Sequence, residues 1–174
     1  MNKNMLKKNA ILNVIKQSTS ILFPMITLPY FSRILGAEYY GKINFANSII
    51  NYFVLIAGLG ISSYAIREGA RIRENTNKLT EFVNQMFSIS AISTIVSLAL
   101  LVIIMNTVIK LREYRSLLIV YSLIIVLNFI GSDWINNIFE DFEYITLRFV
   151  LVHIIVLIPM FVFVKNEKDY ILYA

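Results

Sequence analysis

The residues with the most chemistry to offer are polar side chains set inside long apolar runs. Between Ala10 and Phe31 stand Asn13, Lys16, Gln17, Ser20 and Thr27, at offsets of three, four and seven that place them along one helical face. Asn44, Asn47 and Asn51, followed by Gly58 and Ser62, repeat the pattern in the next run. In hydrocarbon no water satisfies such groups, so they must face protein or a wet cavity. Two neighbouring helices would thus each present an amide or cationic stripe. The densest cluster, GSDWINNIFEDFEYITLRF, sets Asp133, Asn136, Asn137 and Glu140 on one side of a fourth helix. A buried carboxylate at Asp133 could bind sugar hydroxyls or a coupling proton.

Each of these residues also has a plainer reading. Lys16 lies about 9 Å along the helix from Ala10, shallow enough to snorkel to the headgroups rather than face a cavity. Trp134 with polar neighbours is the ordinary look of a helix leaving the bilayer. Ser90, Ser93, Thr94 and Ser97 in a third run suit close helix packing. Asp141 and Glu143 are too common a pair to argue for a metal. Arg148 could pair with Glu140 or Glu143 or touch lipid phosphate, and His153 reads as a helix-packing hydrogen-bonder. With no cysteine and one histidine, the chain predicts no metal site and no cofactor.

The elements that must position these residues follow from composition. Hydrophobic residues make up 57% of the 174 and charged residues 16%, with a mean hydropathy of +0.68. That is more apolar surface than a globular core of this size can hide, so lipid must take the excess. Five stretches are long enough to cross about 30 Å of hydrocarbon as helices, near 10–31, 43–66, 82–109, 117–139 and 145–164. The third is long enough to tilt or to begin outside the bilayer. The expected fold is therefore all-α, a polytopic membrane helical bundle of about five transmembrane helices joined by short loops. Those loops are too short for a soluble catalytic domain, which argues against an enzyme such as a glycosyltransferase. The net charge of +5 falls in membrane-flanking clusters and predicts no nucleic acid partner.

Orientation follows from the basic flanks. Lys3, Lys7 and Lys8 share a side with Arg67, Arg71, Arg73 and Lys78, against Arg33, Lys42, Lys110, Arg112, Arg115, Lys165 and Lys168, and the first helix usually dominates. This predicts a cytoplasmic N-terminus. Pro24 and Pro29 predict a bend in the first helix, Arg33 its end, and Gly36 and Gly41 the turn that follows. Tyr30, Tyr39 and Tyr40 supply an aromatic belt around that turn.

Four separated stretches carry a resemblance: FPMITLPYFSRILGAEYYGKINFANSIINYF, GLGISSYAIREGARIRE, KLREYRSLL and DWINNIFEDFEYITLR. In this order they closely resemble the start of the bacterial polysaccharide flippases, exporters of O-antigen and capsule units in the multidrug/oligosaccharidyl-lipid/polysaccharide exporter superfamily. The chain departs from the pattern at Asn137, where relatives often carry glutamine two residues beyond the position after Trp134. The resemblance implies two bundles of helices, of which this chain would be the first, and it places a further span after DYILYA. The chain thus reads as an incomplete N-terminal bundle, a fragment or a truncated frame.

The resemblance also implies a bacterial cytoplasmic membrane location and a lipid-linked oligosaccharide on an undecaprenyl diphosphate carrier as substrate. Membrane lipids and other surface-polysaccharide assembly proteins are the further partners it implies. Lys16 would neutralise the diphosphate, and Asn13, Asn47, Asn51 and Asp133 would bind sugar hydroxyls. A drug or cation antiporter of the related multidrug type is the alternative, but it should favour acidic cavity residues over these amide and basic stripes. A non-transporting truncated bundle is the third reading.

Overall fold

The computed structural model describes residues 3–173, with side chains from Lys7 to Tyr173. The side chain of Lys3, expected at the basic N-terminal flank, and the terminal Ala174 lie outside the described residues. No strand occurs among the described residues. Every long element is a helix, as a chain in hydrocarbon requires, because a helix satisfies its backbone within its own segment. In order these are α1 (Lys3–Gly58), α2 (Ile61–Ile72), α3 (Thr76–Thr107), a 3-10 helix (Ile109–Tyr114), α4 (Arg115–Gly131), α5 (Asp133–Ile138), α6 (Phe142–Phe163), a short 3-10 turn (Glu167–Asp169) and α7 (Tyr170–Tyr173).

Four helical stretches, 7–72, 76–107, 109–138 and 142–163, are long and apolar enough to cross a membrane. The first is long enough for two crossings. Helix α1 has 56 residues, about 84 Å at 1.5 Å each, which is nearly three hydrocarbon thicknesses. The only non-helical backbone inside it is Gly36, at φ 69° and ψ 169°, a region open to glycine alone. Pro24 and Pro29 sit within helical backbone, and Gly41 is helical. The division of α1 therefore falls at Gly36, three residues beyond the expected stop at Arg33, because only Gly36 can take that conformation.

The fold differs from the expected spans at two further points. The second apolar run is interrupted at Leu59 (φ 43°) and Gly60 (φ 69°), so Ile61–Ile72 becomes a separate helix. The fourth is interrupted at Ser132 (φ 36°), which parts α4 from α5 and ends the helical register that would have carried Asp133 onward. Positive φ at Leu59 and Ser132 costs on the order of 1–3 kcal/mol each. Helix α3 is 32 residues, about 48 Å, so it outruns the hydrocarbon. Its polar start, capped by the Asn75 side chain accepting from the Lys78 N–H at 3.1 Å, fits a beginning outside the bilayer.

The chain divides into two compact units. One comprises the residues up to Tyr40 together with 140–173. Within it α1 and α6 run parallel, since partner numbers rise together: Lys8 with Glu143, Thr146 Oγ1 donating to the Leu12 carbonyl at 3.3 Å, Phe23 on His153 at 4.7 Å, and Phe31 on Phe161 at 5.5 Å. Phe31 and Leu35 are fully buried there, and Tyr39 stacks on Tyr170 at 4.8 Å. Burial raises the Tyr173 phenol above its ordinary value, and Tyr40 adds to the effect, so the ring stays neutral beside Phe31.

The other unit spans 41–139. Here the second part of α1 runs antiparallel to α3: Ser97 donates to the Phe53 carbonyl at 2.7 Å and Ser93 to the carbonyls of Ala57 and Ile56. These buried hydroxyls let two backbones approach closely, as the packing reading of that serine stripe expected. At one end Lys42 pairs with Glu113 at 2.8 Å and Phe45 meets Tyr114 at 4.8 Å. Elsewhere in the unit α2 packs on α5 around Ala65, Leu79, Met86, Trp134 and Ile138.

Gly69 sets the spacing of α2 and α5. A β-carbon there would lie 2.3 Å from Ile138 Cδ1, and Ile138 is itself fully buried. Gly69→Val is expected to destabilise the protein by about 1–3 kcal/mol through overpacking. Thermal unfolding in detergent checks this, with Gly69→Val/Ile138→Ala expected to be more stable than the sum of the two single losses.

Candidate functional site

In the first unit Asn13 is exposed on α1 and Lys16 is half-buried. The Lys16 ammonium lies 5.6 Å from the centroid of the Phe149 ring. That ring also stacks on His153 at 4.1 Å, and His153 Nδ1 lies 2.7 Å from the Phe149 carbonyl oxygen. A carbonyl only accepts, so Nδ1 carries the hydrogen and the imidazole is tied to its own helix. Lys16 thus sits against an aromatic face, and no acid pairs with it among the ion pairs of the described residues. Thr27, the last member of the stripe, is buried and donates to the Phe23 carbonyl at 3.0 Å.

In the second unit Asn47 is half-buried and Asn51 exposed, one turn apart, with Asn51 Nδ2 3.5 Å from Asn47 Oδ1. The pair is a long hydrogen bond, and it leaves most of the donors and acceptors of both amides available. Asp133 is exposed at the start of α5, and its carbonyl accepts from Asn137 Nδ2 at 2.8 Å. The structure therefore brings Asn47 and Asn51 together on one helix and sets Asp133 on a separate element of the same unit. The acids once weighed for a metal have other work: Asp141 caps α6 by accepting from the Tyr144 N–H at 3.2 Å, and Glu143 pairs with Lys8.

None of the five sequence-chosen residues lines the partly open cavity of the second unit. That cavity, about 180 Å³, lies where α1 ends, α2 begins and α4 breaks into α5, and its polar lining is Ser62, Ser90, Thr94, Asn128 and Ser132 beside Phe129 and Trp134. Ser62 and the Ser90/Thr94 pair stood out in the sequence as stripe and packing residues. Asn128, a lone amide in an otherwise apolar stretch of α4, carried the signal that was missed; its Nδ2 donates to the Ile124 carbonyl at 3.0 Å, which leaves its amide oxygen for a ligand.

With this geometry in hand, the chain can be placed among known proteins. The all-α fold, with four helical stretches long and apolar enough to cross a membrane, is that of a multi-pass membrane protein. Residues 6–174 match the polysaccharide biosynthesis protein family, and the chain belongs to that family. It is 26% identical over 172 residues to a protein of Escherichia coli (strain K12) named "Putative O-antigen transporter", covering 97% of this chain and 40% of that relative's length. No solved structure matches the chain.

The Lys16–Phe149 contact is expected to couple the two positions by about 0.5–2 kcal/mol. A double-mutant cycle of Lys16→Met and Phe149→Leu, read by thermal unfolding, measures it. Strict additivity would mean that the ammonium is not held on the ring.

Proposed function

We propose that the chain is the first helical bundle of a transporter that moves a polyprenyl-diphosphate-linked oligosaccharide across the bacterial cytoplasmic membrane for surface polysaccharide synthesis. The observation that carries this reading is membership of the polysaccharide biosynthesis family over residues 6–174, supported by the likeness to a protein named as an O-antigen transporter. The physical problem in such transport is a diphosphate and a sugar chain that must pass a low-dielectric core. Lys16, charged and half-buried on an apolar helix, is the residue proposed to meet the phosphates. Asn13, Asn47, Asn51 and Asp133 are proposed to exchange hydrogen bonds with sugar hydroxyls, and the polyprenyl tail stays in lipid. The amide and basic stripes of the first two apolar runs favour an anionic substrate over a cationic drug.

The proposed orientation puts the N-terminus in the cytoplasm. The contacts within each unit agree with alternating crossings: Lys8 meets Glu143 in one, and Lys42 meets Glu113 in the other. Reporter fusions at Asn75 and Glu113 are expected to read cytoplasmic and periplasmic respectively. The reverse pattern would invert the topology.

In cells that depend on this gene, Lys16→Glu is expected to abolish surface polysaccharide and accumulate its lipid-linked precursor while the protein still inserts. Lys16→Arg should retain export, since the charge survives. Normal surface polysaccharide in Lys16→Glu would remove Lys16 from the mechanism.

A further inference from the structure

The cavity of the second unit holds polar groups that the protein itself leaves unused. Serine and threonine in these helices ordinarily donate to a backbone carbonyl of their own helix, as Thr19, Ser20, Thr27, Ser88 and Ser122 do. Ser93 and Ser97 instead reach across to α1. Ser62, Ser90 and Thr94 do neither, and have no hydrogen-bond partner among the described residues, although Thr94 is only 6% exposed. The same holds for the indole N–H of Trp134, a residue 5% exposed on the cavity wall. Yet no fully enclosed side-chain nitrogen or oxygen lacks a partner among the described residues, so these groups open onto the cavity space.

A buried hydroxyl or indole N–H without a partner is costly, and more so where water is scarce. The break at Leu59 and Gly60 and the break at Ser132 border the same space. Interrupted helices within a membrane protein are tolerated where the freed backbone lines a cavity. The cavity is thus maintained at some cost in backbone conformation, and its lining carries no charged side chain. Hydroxyls and one amide offer both donors and acceptors to a neutral ligand, while Trp134 and Phe129 offer flat apolar faces. A sugar ring has that double character: hydroxyls around its edge and C–H bonds on its faces.

We propose that this cavity is a saccharide subsite, in which Ser90, Thr94 and Asn128 exchange hydrogen bonds with ring hydroxyls and Trp134 packs on the ring face. The inference rests on the reading of a sugar-bearing substrate and gives it a location apart from Lys16. It assigns the sugar to a neutral pocket and makes Trp134 a contact residue.

Residues 1–174 contain a single tryptophan, Trp134, and any tryptophan elsewhere in the full-length protein is replaced by phenylalanine so that the fluorescence reports this cavity. The full-length protein, purified in lipid nanodiscs, is titrated with glucose, galactose or N-acetylglucosamine against betaine at equal osmolality. A saturable change in Trp134 emission is expected for at least one sugar. Its apparent affinity should fall about tenfold in Thr94→Val, the equivalent of one lost hydrogen bond. Ser90→Ala serves as the second variant if Thr94→Val fails to fold. No saturable response, an equal response in both variants, or the same response to sodium chloride would overturn the proposal. The transport reading is judged separately by the Lys16→Glu export phenotype. A silent sugar titration beside lost export removes the subsite and leaves transport standing.

Discussion

Hydrocarbon offers no partner for a hydrogen bond, and nearly every feature of this chain answers to that fact. The backbone is helical almost throughout the described residues because a helix closes its own bonds. Side-chain hydroxyls bond back to their own turn or across to a neighbour's carbonyl, so the serine stripe of α3 becomes a seam against α1 at Phe53 and Ala57. Large apolar residues face outward in great number, Tyr52 at 69% and Leu55 at 72% exposed among them, while Ala46, Ile50, Phe53 and Ala57 on the same helix are buried. In water that arrangement would be an aggregation surface. In lipid it is the solvent-facing side.

The same constraint explains why the departures from helix carry information. Gly36 divides a stretch too long for one crossing. The breaks at Leu59–Gly60 and at Ser132 fall within runs that could have stayed helical, and they converge on a polar-lined cavity. Positive φ at a leucine and a serine is not a local preference, so packing must hold it. The close contact of α2 and α5, permitted by Gly69 against Ile138, joins the helices that follow the two breaks.

Much of this was legible in the residues. Apolar run length anticipated an all-α chain of long apolar helices, because burial in lipid needs only length and composition. Ser93 and Ser97 read correctly as packing residues, since a small hydroxyl lets a neighbouring helix come close and bonds its carbonyl. The breaks were less legible. The sequence GLG at 58–60 and GS at 131–132 offered glycine as a warning, but only tertiary contact decides whether a glycine in an apolar run bends the chain. Among the polar stripes, spacing found Asn47 and Asn51 on one face, and the contact of Lys16 with Phe149 arises from two helices far apart in sequence. The cavity draws on five helices at once, α1 to α5, and Asn128 offered only an isolated amide without a periodic partner.

The central claim is that the apolar faces of these helices meet lipid and that the small and hydroxylated faces meet protein. Nitroxide scanning across 46–57 tests it most directly, because the chain has no cysteine to remove. The account expects labels at Tyr52, Leu55 and Ile56 to be accessible to oxygen and shielded from a water-soluble nickel chelate, with Ala46, Ile50, Phe53 and Ala57 shielded from both. Accessibility of Tyr52, Leu55 and Ile56 to the nickel chelate would contradict it.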